Sequence, residues 1–152
     1  MTLPHRQVQD GADAPGPGSR VEAGPRALSV AEALTAVHSA DYTERAAAGV
    51  VLAAVPDLAR LTETLHTLLL DPEDTWVTLT TAEALVARGD TTGMRVVAGA
   101  IARADASCAD WIGDAVLYPQ HTDERDRRRS ALEELRLDPD PDVAAGAAQL
   151  LA

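Results

Sequence analysis

The chain has 152 residues, with 24 acidic against 13 basic side chains and a formal charge of −11. That length suits one domain with a real core and is too short for two comfortable ones. A single cysteine, Cys108, excludes an intramolecular disulfide and a thiol framework for a structural metal, and the acidic field repels phosphate backbones while favouring basic partners.

All the basic residues are Arg, and Phe, Asn and Lys are absent, a bias typical of GC-rich coding. With only 3% aromatics the core must be built from Leu, Val and Ala, which suits closely packed helices and predicts an all-α protein. The first residues, Met1 to Gln7, lack an apolar run. Neither a signal peptide nor a membrane anchor is expected, and the cytoplasm is the expected compartment. Residues 1–27 hold Pro4, Gly11, Pro15, Gly16, Pro17, Gly18, Gly24 and Pro25 without an apolar period and are expected to be a disordered tail. Residues 28–152 remain as the folded body. The whole excess of negative charge lies on that body, because residues 1–28 balance three acids with three Arg.

Ser29, with Glu32 three residues on, opens a first helix whose apolar stripe is Val30, Leu34 and Val37. Asp41 opens a second, in which Ala46, Ala47, Gly49, Val50, Leu52 and Ala53 permit close approach of neighbours. Pro56-Asp57 breaks it before a partner helix carrying Leu58, Leu61, Leu65 and Leu68. Asp71-Pro72-Glu73-Asp74 is a tight acidic turn, and Asp74 caps a helix to Ala87. Arg88-Gly89-Asp90 is a corner in which Gly89 takes the left-handed terminal position, before a helix from Thr92 to Ala104. A third pair is expected from Ala109 to Leu117 and from Asp123 to Leu137, with Asp123–Arg127, Glu124–Arg128 and Arg129–Glu133 spaced to pair on the helix surface. Asp142 to Ala152 is a final, lone helix.

The hairpins repeat. Asp41 and Asp74 are 33 residues apart, as are Leu52 and Leu85, and Asp138-Pro139-Asp140-Pro141-Asp142 copies the earlier Asp-Pro turn. Such a period marks a helical solenoid, in which each hairpin must stack on its neighbours to bury its apolar face. The Leu68 to Asp74 turn, the Val77 to Leu85 helix with Ala82 and Ala84, the Arg88-Gly89-Asp90 corner and the Leu137 to Leu151 copy resemble the HEAT-repeat family, especially its short bacterial, lyase-type members. The resemblance covers residues 41 to 152. It implies a right-handed α-solenoid of about three hairpins with an extra helix at each end. It also implies a concave face lined by second helices, presenting Arg60, His66, Arg95, Arg103, Arg127 and Arg128. A regular Asp-Arg ladder along the stack is not expected, because Thr78 and Ala144 stand where the family often has Arg.

Fold alone does not give function. The sharpest candidates are Tyr42, Trp76 and Trp111, each following an aspartate (Asp41, Asp74, Asp110) at the expected start of an outer helix, where stacking would align them. Aromatic rings are favoured interface anchors, and the flanking carboxylates suit a basic partner. The alternative is that each ring fills a groove between hairpins. Arg60, Arg95 and Arg128 are the inner-face candidates. The Arg125 to Arg129 cluster suits a carboxylate or phosphate, although interleaved acids can neutralise it.

For catalysis the best assembly is Asp110, Asp114, His121 and Asp123, but nothing marks a nucleophile and no H-E-x-x-H metal site is present, so no catalytic residue, cofactor or metal is expected. Cys108 is expected to be a small packed residue. These features predict a non-catalytic protein-interaction module for a basic protein partner, one version being an inhibitor or immunity-type protein covering a basic toxin or nuclease. The rival is a HEAT-like lyase-type protein holding a small molecule in a concave pocket joining His66, Arg95 and the third hairpin. Nucleic-acid binding and DNA glycosylase activity are disfavoured by charge. Self-association through an uncapped C-terminal helix is a third expectation.

Overall fold

The computed structural model describes residues 26–118 and 122–152. The expected tail up to residue 25, and His121, lie outside the described residues. In chain order the elements are α1 (Val30–Ala36), α2 (Tyr42–Ala53), a 3-10 turn (Leu58–Leu61), α3 (Thr62–Leu69), α4 (Thr75–Ala87), α5 (Thr91–Ile101), α6 (Ala106–Leu117), α7 (Thr122–Leu135) and α8 (Pro141–Leu151). Among the described residues there is no strand, so the chain is all-α.

Helices begin where a short oxygen-bearing side chain can satisfy free backbone amides. Ser29 and Glu32 form the expected capping box on α1. Asp41, Asp74, Asp90, Asp105 and Asp140 cap α2, α4, α5, α6 and α8. Gly89 closes α4 with a φ of 69°, the left-handed conformation a Cβ disfavours. Helix boundaries move by a few residues: α5 ends at Ile101 rather than Ala104. The sixth helix starts at Ala106 rather than Ala109, because Asp105 accepts from the amide of Cys108 at 2.8 Å and adds a turn.

Packing sorts the helices into two layers. In one, α2 lies along α4 and α4 along α6, with α1 against the outer side of α2. In the other, α3 lies beside α5, and α8 packs along α5 on the opposite side. Leu52, Leu65, Leu68, Leu69, Val77, Leu85, Val97 and Ile112 are fully buried between them. All four Trp and Tyr residues lie at the surface, so no Trp or Tyr ring helps to fill the core, which is built mainly from Leu, Val, Ile and Ala. Small residues permit the closeness this needs. A Cβ added at Gly146 of α8 would lie 1.8 Å from the carbonyl oxygen of Ala98, so the α5 and α8 backbones touch there.

Three packing expectations are corrected. On α1 it is Ala33 and Val37 that are buried, while Val30 and Leu34 are largely exposed: its small Ala33 face lies closest to α2 and the larger side chains turn away. On α2, Ala46, Ala48, Gly49, Leu52 and Ala53 face inward, and Ala47 and Val50 face out. The third hairpin is open. Helix α7 buries only Leu132 and Leu135, and it packs against α5 and α8 instead of lying along α6. Val143, Gly146, Ala147 and Leu150 of α8 are buried within the chain.

Candidate functional site

The three sequence-selected rings are exposed: Tyr42 by 46%, Trp76 by 54% and Trp111 by 38%. None fills a groove between hairpins. They are not aligned, however. Tyr42 and Trp76 are the first and second residues of α2 and α4, whereas Trp111 is the sixth of α6. At 1.5 Å per residue, Trp111 stands about 6 Å further along its helix than Trp76 does along its own. The two tryptophans therefore occupy different positions along their helices. The missed Asp105 cap explains the error, since the adjacent Asp110 is an exposed mid-helix residue.

Among the carboxylates chosen from the sequence, Asp41 and Asp74 are structural. Asp41 accepts from the amide and hydroxyl of Thr43 at 2.8 and 2.7 Å, and these bonds hold its pKa below the ordinary value. Asp74 accepts from the amide of Trp76 at 2.9 Å and thereby fixes where the ring leaves the helix. Sequence reasoning missed Glu83 as a candidate surface residue. It lies seven residues after Trp76 and shares its outward stripe, as Asp114 follows Asp110 on α6. Glu83, Asp110 and Asp114 are exposed and enter no ion pair among the described residues. The outer face therefore joins two indoles with exposed carboxylates, of which Glu83 also borders the cleft lined by Arg88 and Arg127.

The inner-face arginines are differently placed. Arg95 makes a two-pronged pair with Asp138, at 2.9 and 3.1 Å, which ties α5 to the turn before α8. Arg128 donates to the carbonyls of Ala115 and Val116 at 3.3 and 2.9 Å and lies 3.6 Å from Glu124. Arg60 is exposed and lies 3.4 Å from Asp57. His66 is buried between α3 and α5, where Nε2 donates to the carbonyl of Val96 at 2.9 Å and Nδ1 receives Arg103. Burial first, and then the nearby Arg103 cation, lower its pKa. Of the three expected pairs on α7, Glu124–Arg128 and Arg129–Glu133 form.

The guanidinium groups also bracket the turns. Arg45 of α2 pairs with Asp71 while donating to the carbonyls of Ser39 and Ala40, and Arg88 pairs with Asp90 while donating to those of Ala53 and Val55. The Arg45–Asp71 and Arg95–Asp138 pairs both anchor the first aspartate of a repeated Asp-Pro turn, a regularity not expected from the sequence.

Two clefts flank the displaced α7. One, of about 480 Å³, lies between the α4–α5 corner and α7 and mixes Glu83, Asp90 and Glu124 with Arg88, Arg127 and Arg128. The other, of about 500 Å³, lies between α7 and the ends of α6 and α8. Neither is lined by His66 or Arg95. Asp114 and Asp123 are exposed, and no group of three or more His, Cys, Asp or Glu able to hold a metal ion occurs among the described residues. Cys108 is buried, its sulfur 3.9 Å from Thr78 Oγ1 and from the carbonyl of Asp71, and burial pushes its thiol pKa up. No helix of the described residues is long and apolar enough to cross a membrane. The chain matches no family model, no curated protein and no solved structure.

Proposed function

We propose that this chain is a HEAT-like α-solenoid that acts as a non-catalytic protein-interaction module, with the outer α4–α6 face receiving a basic protein partner. The observation that carries the reading is the exposure of both tryptophans in a chain whose interior is filled without a Trp or Tyr ring. Indole is costly to leave in water and is favoured at the centre of interfaces. Beside it stand Glu83, Asp110 and Asp114, whose charge a Lys- or Arg-bearing surface would complement, and the body's field would steer such a partner. The packing of α2, α4 and α6 in one row with α3 and α5 behind them supports the stacked-hairpin reading, and the open α6–α7 pair is its departure.

An inhibitor or immunity-type protein that covers a basic toxin or nuclease is a specific version of the same surface. The lyase-type reading finds less support, since Arg95 is paired with Asp138, His66 is buried, and neither lines either cleft. The test is affinity capture from source lysate with wild type and a Trp76→Ala, Trp111→Ala variant of equal helicity by circular dichroism. A basic protein captured by wild type and lost with the variant supports the outer face. Retention of that protein by the variant refutes it.

A further inference from the structure

Residues 125–129 read Arg-Asp-Arg-Arg-Arg, four cations and one anion in a chain of net charge −11. The helix that carries them stands off α6 and leaves the 500 Å³ cleft open to solvent along its length. Its floor is aliphatic, made by Val116, Leu117, Leu132, Leu150 and Leu151. Arg125, Arg128 and Arg129 line it against a single acidic side chain, Asp126. Arg128 is anchored to the end of α6 and forms a fixed wall. Arg129 is 69% exposed and holds Glu133 at 3.3 Å, and Arg125 enters no ion pair among the described residues.

We propose that this cleft docks an acidic amphipathic helix of a partner protein. Leucine-type side chains on one helix face would enter the aliphatic floor, and Glu or Asp flanking that face would meet Arg125 and Arg129. The charge of the rim selects the occupant. A basic helix would set cation against cation, and a neutral one would cover Arg125 without giving it a partner. A cleft open to solvent suits the side chains of a docked helix better than an enclosed small molecule. This site is distinct from the outer face: it opens between α7, α8 and the end of α6, and its rim carries the opposite charge.

Fluorescence anisotropy tests it, using the full chain and a labelled helical peptide with Leu at i, i+4 and i+7 flanked by Glu, beside a control with Lys in place of Glu. The Glu peptide binds and the Lys peptide does not. Arg125→Glu with Arg129→Glu weakens binding about tenfold at unchanged helicity, and Leu117→Gln, at a side chain 59% exposed and so outside the core, weakens it independently of salt. The Trp76→Ala, Trp111→Ala variant binds the peptide as wild type does. Equal binding of both peptides, insensitivity to the Arg pair, or loss with the tryptophan variant overturns the proposal. Binding to phosphatidylglycerol vesicles without binding to the peptide overturns it as well.

Discussion

Arg45 and Asp71, 26 residues apart, are each almost fully buried and meet at 2.7 Å, with the guanidinium also holding the last carbonyls of the first helix turn-out, those of Ser39 and Ala40. Burial alone would raise the Asp71 pKa. Hydrogen bonds from Arg45 and from the amides of Asp74 and Glu73 outweigh it and hold the carboxyl below its ordinary value. Asp71→Ala removes the buried partner of Arg45 and leaves it only the exposed Glu73, at 3.3 Å, and the two carbonyls, so a cost at the lower end of about 3–5 kcal/mol is expected. Because the folded-state pKa is the lower one, the stabilisation is present above the unfolded carboxylate value and fades as pH falls through the folded one. Urea midpoints of wild type and variant should therefore converge in acid. A gap independent of pH would refute the assignment.

Gly146→Ala and Gly113→Ala form a matched pair. At Gly146 the added methyl meets the carbonyl of Ala98, so α8 must move off α5, and a loss of about 1–3 kcal/mol is expected. At Gly113 nothing lies within 4 Å of the added carbon. Here the gain in helix propensity should stabilise by about 0.5–1 kcal/mol. Thermal unfolding of the two variants in opposite directions is the expected outcome.

His66 predicts a second pH effect. Its folded pKa is lowered by burial and by Arg103, so the unfolded chain takes up the proton first. Stability from this group is complete above the unfolded histidine value and is lost as pH falls from there towards the folded value. His66→Gln should flatten the stability profile in that window, and retention of the full wild-type slope would show that other groups are responsible.

The exposed indoles should sense the charge around them. Cs⁺ is expected to quench tryptophan fluorescence more strongly than iodide at equal concentration, because carboxylates flank both rings. The preference should fall when Glu83, Asp110 and Asp114 are replaced by Gln or Asn, as appropriate to each. Equal quenching by both ions in wild type would remove the electrostatic basis for a basic partner at this face.

The helical nature of the chain and most of its caps were legible because they depend on local chemistry: Ser29, Asp41 and Asp74 act within three residues of where they stand. Asp105 acts equally locally, but Asp110 offers the same capping side chain beside Trp111, and a helix begun at either aspartate differs by about one turn in where it places the ring. The long-range facts were not legible. No periodicity tells that Arg95 reaches Asp138 or that Arg128 is anchored to the end of α6. Nor does an apolar stripe reveal which of two competing helices occupies a place in the core. There α8 prevails over α7 because its glycine and alanines let it approach α5 closely. The tryptophans were legible as candidates, but their exposure depended on whether smaller side chains could close the core without them.

The brackets made by arginine have a consequence at the alkaline end of the scale. An ammonium side chain sheds its proton near pH 10 and would release both its carboxylate and its carbonyls. Guanidinium keeps its charge there, and the Arg45 and Arg95 values are raised further by their bonds to Asp71 and Asp138. A chain without lysine thus keeps these interhelical joints locked in base and opens them only in acid, where the carboxylate half of each joint gives way.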